Sequence, residues 1–258
     1  MIKEESKFAN SNIFEGMPSI SALIRSIENG ESDRKILRVY VDKQRVTAKY
    51  KEIGFLKAKS AQIGFEICFD KRENIDVLCV GNTHGGIVAE CTNRTLPVLN
   101  EDAIKPDGVY YMLEGIEDPY NFGNALRSLY ASGADGIIVG ARNWLGVAGT
   151  VARASAGASE LLPAYVCDDA SKAVTLFRER GYKVICAGIR DSVSIFEADL
   201  SRPLLVILGG EKRGISRAVL DAADEIVRID YGTSFNGSLS ASASAAVFAF
   251  EVLRYNKK

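Results

Sequence analysis

Histidine and tryptophan occur once each in these 258 residues, and proline only six times. The five cysteines, Cys68, Cys79, Cys91, Cys167 and Cys186, form an odd set without a CxxC spacing. That argues against both a disulfide framework and a thiolate zinc site, so packed, reduced thiols are expected. No apolar run approaches the ~18 residues that a membrane span needs; LLVIL at 204–208 is one of the longest. The opening MIKEESKFANSN mixes charges of both signs and lacks an apolar signal core, and a cytoplasmic protein is expected. The single histidine, His84, reads as a turn residue rather than a catalyst.

An excess of charge of one sign is also missing. The formal net charge is −1, which argues against a protein that coats nucleic acid indiscriminately. The charge is unevenly placed, however. Residues 34–72 carry eleven Lys and Arg against four Asp and Glu. Such a stretch is either a solvated face or a groove that follows a phosphate backbone. Hydrophobic residues at 47% and charged residues at 25% are the proportions of a soluble globular protein. The length suits one large domain or two smaller ones.

Patterning divides the chain. Residues 13–91 read as short alternating elements: a helix at 20–28, a strand at 36–41, a helix ending near Ala61 and a strand at 64–69. Residues 92–108, with two prolines and no sustained period, read as a linker. From Val109 the rhythm is strand then helix, repeated, with a helix near 147–155 and a last helix to Tyr255. Short apolar runs alternating with amphipathic segments imply α/β architecture, a mostly parallel sheet covered by helices on both faces. The division expected is a small α/β domain with linker over 1–105 and a larger α/β domain over 106–258.

Ligands of such sheets bind where strands end, so three stretches matter most. In DPYNFGNALRSLYASG, 118–133, Asn121 is placed to cap a helix, Leu126, Leu129 and Tyr130 share its apolar face, and Gly133 ends it. Arg127, in the second turn, is explained by neither role. In LLVILGGEKRGIS, 204–216, Gly209 and Gly214 have the spacing of a phosphate-binding loop, and Ser216 is in place. Ile215 stands where that loop needs lysine, which disfavours a nucleotide hydrolase. What survives is a close backbone approach with Glu211 beside it. In the third stretch, Asn236 and Gly237 signal a turn, Ser238 or Ser240 can cap a helix, and Leu239, Ala243, Val247 and Phe250 fall on one face. Apolar residues on nearly every side of that helix predict its burial, in part by a second subunit.

Together these stretches resemble the SpoU or TrmH family of knotted RNA ribose methyltransferases. Asn121, Gly123 and Arg127 match its N-x-G-x-x-x-R motif, Gly209, Glu211 and Gly214 its G-x-E-x-x-G motif, and 238–242 its S-L-N-x-S motif. RASAGASELLP at 153–163 is similar to the family's segment between the first two motifs. THGGIVAE at 83–90 is similar to the HQG stretch of its substrate-binding domain. Ser240 replaces the usual asparagine and Gly85 the usual glutamine.

The resemblance implies a trefoil knot in the C-terminal domain, S-adenosylmethionine as cofactor, RNA as substrate (ribosomal rather than transfer), and a homodimer. By residue-wise carry-over, Gly209, Ile229 and Leu239 contact the cofactor. Asn121, Arg127, Glu211, Ser238 and Ser240 surround the reacting centre. Nothing in these motifs asks for a metal. Three other readings stay open: a non-catalytic RNA-binding relative, a ribose 2′-O-methyltransferase of transfer RNA, and a methyltransferase acting on a base nitrogen.

Overall fold

The computed structural model describes residues 12–81, 83–140 and 148–257. In chain order the elements are β1 (Ile13–Glu15), α1 (Met17–Glu28), β2 (Ile36–Asp42), α2 (Tyr50–Ile63), β3 (Glu66–Asp70), α3 (Arg72–Leu78) and β4 (Ile87–Cys91). Then come β5 (Val109–Glu114), α4 (Pro119–Ala131), β6 (Gly136–Val139), α5 (Ala148–Ala154), α6 (Ala158–Leu161) and β7 (Ala164–Val166). The chain continues through α7 (Ala170–Glu179), β8 (Lys183–Ala187), β9 (Val193–Ser194), β10 (Leu204–Gly209), α8 (Arg217–Ala222), β11 (Glu225–Arg228) and α9 (Ala241–Asn256). Val147, where the expected helix at 147–155 starts, lies outside the described residues, as do residues 1–11 of the opening stretch. Among the described residues no helix is long and apolar enough to cross a membrane.

Contacts divide the chain into two units, 1–95 with 144–161, and 96–143 with 162–258. The first unit is a four-stranded sheet ordered β1-β4-β2-β3, with β2 and β3 parallel and the other pairs antiparallel. Its main core packs Phe14, Leu23, Val39, Val41, Leu56 and Ile87 together with Ala148 and Ala152 of α5. The strand read at 64–69 begins later, at Glu66, because Gly64 takes a left-handed φ of 82° and ends α2 there. His84 is buried in the turn before β4. The Gly86 N–H donates to its Nδ1 at 3.2 Å, so Nε2 carries the proton and donates to Asp76 Oδ1 at 2.7 Å. The bond holds the Asp76 carboxyl below its usual range. Gly85, at φ +66°, sits where a glutamine would be strained.

Residues 148–161, between β6 and β7, belong to the first unit. Gly157, at φ +88°, lets them approach α1 so closely that a Cβ would lie 2.4 Å from Ala22 Cβ. Beyond it, Glu160 accepts from Arg34 Nε at 3.1 Å, with both side chains almost wholly buried. Arg34 Nη1 also donates to the Thr92 carbonyl at 2.8 Å, and its guanidinium lies 5.3 Å from the Phe14 ring centroid.

The second unit is a seven-stranded sheet ordered β7-β6-β5-β10-β8-β11-β9, parallel at every pairing. Its central strands β5, β10 and β8 are apolar except at their ends, where Glu114 and Lys183 stand, as strands covered on both faces should be. Tyr110, Met112, Leu205 and Ile207 face a core completed by Phe177 of α7 and Val219 of α8. The expected linker is partly structural: Leu99 and Ile104 join this core, and residues 97–99 hydrogen-bond along β7. On the other side of the sheet α9 packs on α4 and β10. Its buried side is Ala241, Ala245, Phe248, Ala249 and Val252. The burial expected all round α9 is not met within one chain, since Val247 is 36% and Phe250 49% exposed. All five cysteines are free thiols, and burial pushes Cys79 and Cys186 up to about 12.

Breaking a buried ion pair strands the surviving charge, at a cost of about 3–5 kcal/mol. Arg34→Met should therefore lower the first unit's stability by about that amount, and adding Glu160→Leu should recover most of it. Denaturant unfolding followed by hydrogen exchange at α1 and β2 checks this. If the single and double variants unfold alike, Glu160 is not stranded by loss of Arg34.

Candidate active site

In a parallel sheet the ligand crevice opens where neighbouring strands send their connections in opposite directions. Here that point lies between β5 and β10: the chain leaves β5 toward β6, and leaves β10 toward β11 on the other side. The two exits are pressed together. The Gly210 N–H donates to the Glu114 carbonyl at 2.7 Å, and a Cβ on Gly210 would lie 1.9 Å from the Gly115 carbonyl oxygen. Gly209 is similarly confined, its absent Cβ falling 2.6 Å from the Gly214 backbone, and Gly214 turns the loop back with φ +63°. Lys212 pairs with Glu117 at 2.6 Å across the two loops.

The helix cap differs from expectation. Asp118, not Asn121, is the N-cap of α4, accepting from the Asn121 N–H at 2.7 Å, with Pro119 in the first turn. Aspartate followed by proline is itself a capping signal in the sequence. The physical consequence is that the Asn121 amide is released from its own helix.

That amide donates from Nδ2 to Glu211 Oε1 at 3.1 Å. Its Oδ1 accepts from the Ser242 hydroxyl at 2.9 Å. Ser242 has one proton and spends it there, so Ser240 is the donor in their 3.0 Å contact. Ser240 Oγ in turn accepts from the Ala243 N–H at 3.2 Å as the N-cap of α9. The result is a directed chain, Ser240 to Ser242 to Asn121 to Glu211, that joins all three motif stretches. Glu211 Oε1 also lies 3.4 Å from the Ala241 N–H. Serine caps a helix as well as asparagine does, so replacement of the family's asparagine at 240 leaves the start of α9 intact.

Arg127, Ser238, Ile229 and Leu239 make no hydrogen bond to this chain among the described residues. Arg127 is exposed on the third turn of α4, and Ser238 is exposed in the loop before α9. Ile229, just past β11, and Leu239 are both half-buried. The Leu239 N–H donates to the Tyr231 hydroxyl at 3.2 Å, and Tyr231 packs edge-on against Phe235. Ser242 and Tyr231 were not among the expected site residues. Ser242 could have been found from its place in the third motif, whereas Tyr231 carries no local signal.

Residues 108–250 match the SpoU rRNA Methylase family. The chain belongs to that family. Among relatives of this SpoU methylase, the 23S rRNA (guanosine-2′-O-)-methyltransferase RlmB of Ralstonia nicotianae is 26% identical over 95% of this chain and 96% of its own. YacO of Bacillus subtilis, assigned by name to the TrmH family tRNA/rRNA methyltransferases, is 27% identical over 88% of this chain and 92% of its own. An RNA 2′-O ribose methyltransferase structure superposes with a TM-score of 0.77 at 22% identity, covering 95% of this chain and 89% of that one. AviRb of Streptomyces viridochromogenes, solved with AdoMet, gives 0.76 at 20% identity, covering 95% and 90%. These two likenesses establish the fold.

Asn121→Asp tests the directed chain. Two carboxylates about 3 Å apart cannot both ionise, so the pair must hold a proton. Methyl transfer should fall by about tenfold or more at pH 8 and recover in part toward pH 6. An unchanged pH profile would show that Asn121 and Glu211 do not face each other during turnover.

Proposed function

We propose that this SpoU methylase transfers the methyl group of S-adenosylmethionine to a ribose 2′-hydroxyl of a structured RNA, ribosomal rather than transfer RNA. The observation that carries the reading is the hydrogen-bonded chain through Ser240, Ser242, Asn121 and Glu211 at the switch point of the sheet. The residues fit the cofactor: Gly209 and Gly214 keep side chains out of the loop, and Ile229 and Leu239 are half-buried. Gly209, Ile229 and Leu239 would hold it. When bound, it supplies an electrophilic methyl group on a sulfonium.

The chain's own residues do the positioning, which is worth much of the acceleration in an in-line transfer. Asn121 and Glu211 lock the two loops in one arrangement. Glu211 is occupied as an acceptor and serves as an anchor rather than a base. Arg127 does not take the hydroxyl proton, since a guanidinium stays protonated in proteins. It holds an RNA phosphate or steadies the developing alkoxide, and the proton leaves through a phosphate oxygen or water. Ser238 and Ser240 line the same crevice.

Residues 106–258 carry this chemistry, and residues 1–105, with their basic stretch, hold the RNA. The C-terminal segment threads a trefoil knot, an exception to the usual rule against knots. The strand order supports it: the chain must return from β11 past β8 and β10 to set α9 on α4. The protein is cytoplasmic and works as a homodimer, with Val247 and Phe250 of α9 in the interface. Their exposure in a single chain supports that role.

Calorimetric titration with S-adenosylhomocysteine is the first test; a folded protein that binds none has no such pocket. Arg127→Ala should cut transfer by about a hundredfold or more while leaving that affinity nearly unchanged. Loss of the cofactor site in this variant would defeat the assignment. Product RNA should resist nuclease cleavage at one phosphate, as a 2′-O-methyl group requires and a methylated base does not. For the dimer, Val247→Asp with Phe250→Asp should sediment as a monomer, and an unchanged sedimentation coefficient would place the interface elsewhere.

A further inference from the structure

At the carboxyl end of β2 the first unit leaves a group that its core does not use. The chain turns through Lys43 and Arg45 and enters α2 at Tyr50, a residue 66% exposed. Lys51 Nζ lies 5.9 Å from the Tyr50 ring centroid. β3 is parallel to β2 and ends alongside it, Asp42 opposite Asp70, which brings Lys71 to the same end. The turn before β4 arrives there too, and a Cβ on Gly86 would lie 3.1 Å from Arg45 Cδ. Neighbouring charges are already spent: Lys49 on Glu52 at 2.7 Å and Arg72 on Asp76 at 3.3 Å. Lys43, Arg45, Lys51 and Lys71 make no ion pair among the described residues.

We propose that this end of the first unit binds an unpaired RNA nucleotide, its base stacked on Tyr50 and its flanking phosphates neutralised by Arg45, Lys51 and Lys71. The inference rests on the RNA-modifying reading above and adds to it the form of RNA that is held. Charge complementarity selects a polyanion. The bare aromatic face selects one with planar groups to stack, and a cation beside the ring strengthens the sandwich. A base within a duplex is already stacked, so only an unpaired one can reach Tyr50. An acidic protein partner would call for a broad apolar area around the ring, whereas the exposed positions next along α2 are Lys51, Gly54, Phe55, Lys57 and Ala58, of which only Phe55, 38% exposed and with Lys59 Nζ 5.8 Å from its ring centroid, is a large apolar group.

Fluorescence anisotropy with labelled short oligouridine, with an RNA duplex of equal length and with heparin as a competitor tests this on the full chain. Tyr50→Ala should weaken oligouridine binding by about tenfold, leave duplex binding unchanged, and leave the salt dependence as it was. Tyr50→Trp should restore affinity. Arg45→Gln with Lys51→Gln should lower the salt slope by roughly 1.4, about 0.7 for each phosphate released on a single strand. The proposal is overturned if Tyr50→Ala leaves oligouridine affinity intact, or if it weakens the hold on heparin equally, which would mark a surface for any polyanion or an acidic protein. S-adenosylhomocysteine titration keeps the two readings apart. Cofactor binding without a Tyr50 effect sinks the stacking site alone, and a Tyr50 effect without cofactor binding sinks methyl transfer alone.

Discussion

The parallel ladder between β5 and β10 is the constraint on which the site depends. Val109 lies opposite Leu204 and Glu114 opposite Gly209, so the two strands end at the same level. Two loops that depart in opposite directions from adjacent strand ends must share a crevice. That is why a residue at 121 and a residue at 211 can be one hydrogen bond apart. Slipping the register by one residue would turn the strands' side chains onto opposite faces and part the loops as well.

Glycine is what makes the shared crevice sterically possible. At Gly210 the opposing backbone comes closer than any Cβ allows, and at Gly209 the loop folds back onto its own strand end. The polar chain built on this frame has a definite direction because each member has a limited supply of protons. Glu211 can only accept, which sets the Asn121 amide, which sets Ser242 and then Ser240. Such a chain rigidifies loops that would otherwise be the mobile part of the fold. The replacement of asparagine by serine at 240 is absorbed because the helix cap is preserved and Ser242 supplies the donor that reaches Asn121.

In the first unit the corresponding constraint is electrostatic. Arg34 and Glu160 are removed from water together, and Thr92 and Phe14 complete the surroundings of the guanidinium. This pair fixes a segment from between β6 and β7 onto a sheet formed by the first 95 residues. The basic surface at the far end of β2 is of another kind. Part of it is neutralised locally, and the remainder gathers at the end of the sheet where β2, β3 and the turn before β4 meet.

Much of this was legible from residue order. Strand and helix periodicity marks nearly every element of the second unit, because strands buried on both faces must be apolar throughout and helices must show one apolar side. The three motif stretches locate Asn121, Glu211 and Ser240, since glycines and helix starts at strand ends have few other uses. Local pattern misjudged the cap of α4, where Asp118 competes successfully with Asn121. Tyr231, the packing of 148–161 with the first sheet, and the hydrogen-bonded chain itself were decided by tertiary structure alone. Each joins residues far apart in sequence, and the free energy of such contacts comes from juxtaposition and exclusion of water, which no local run of residues encodes.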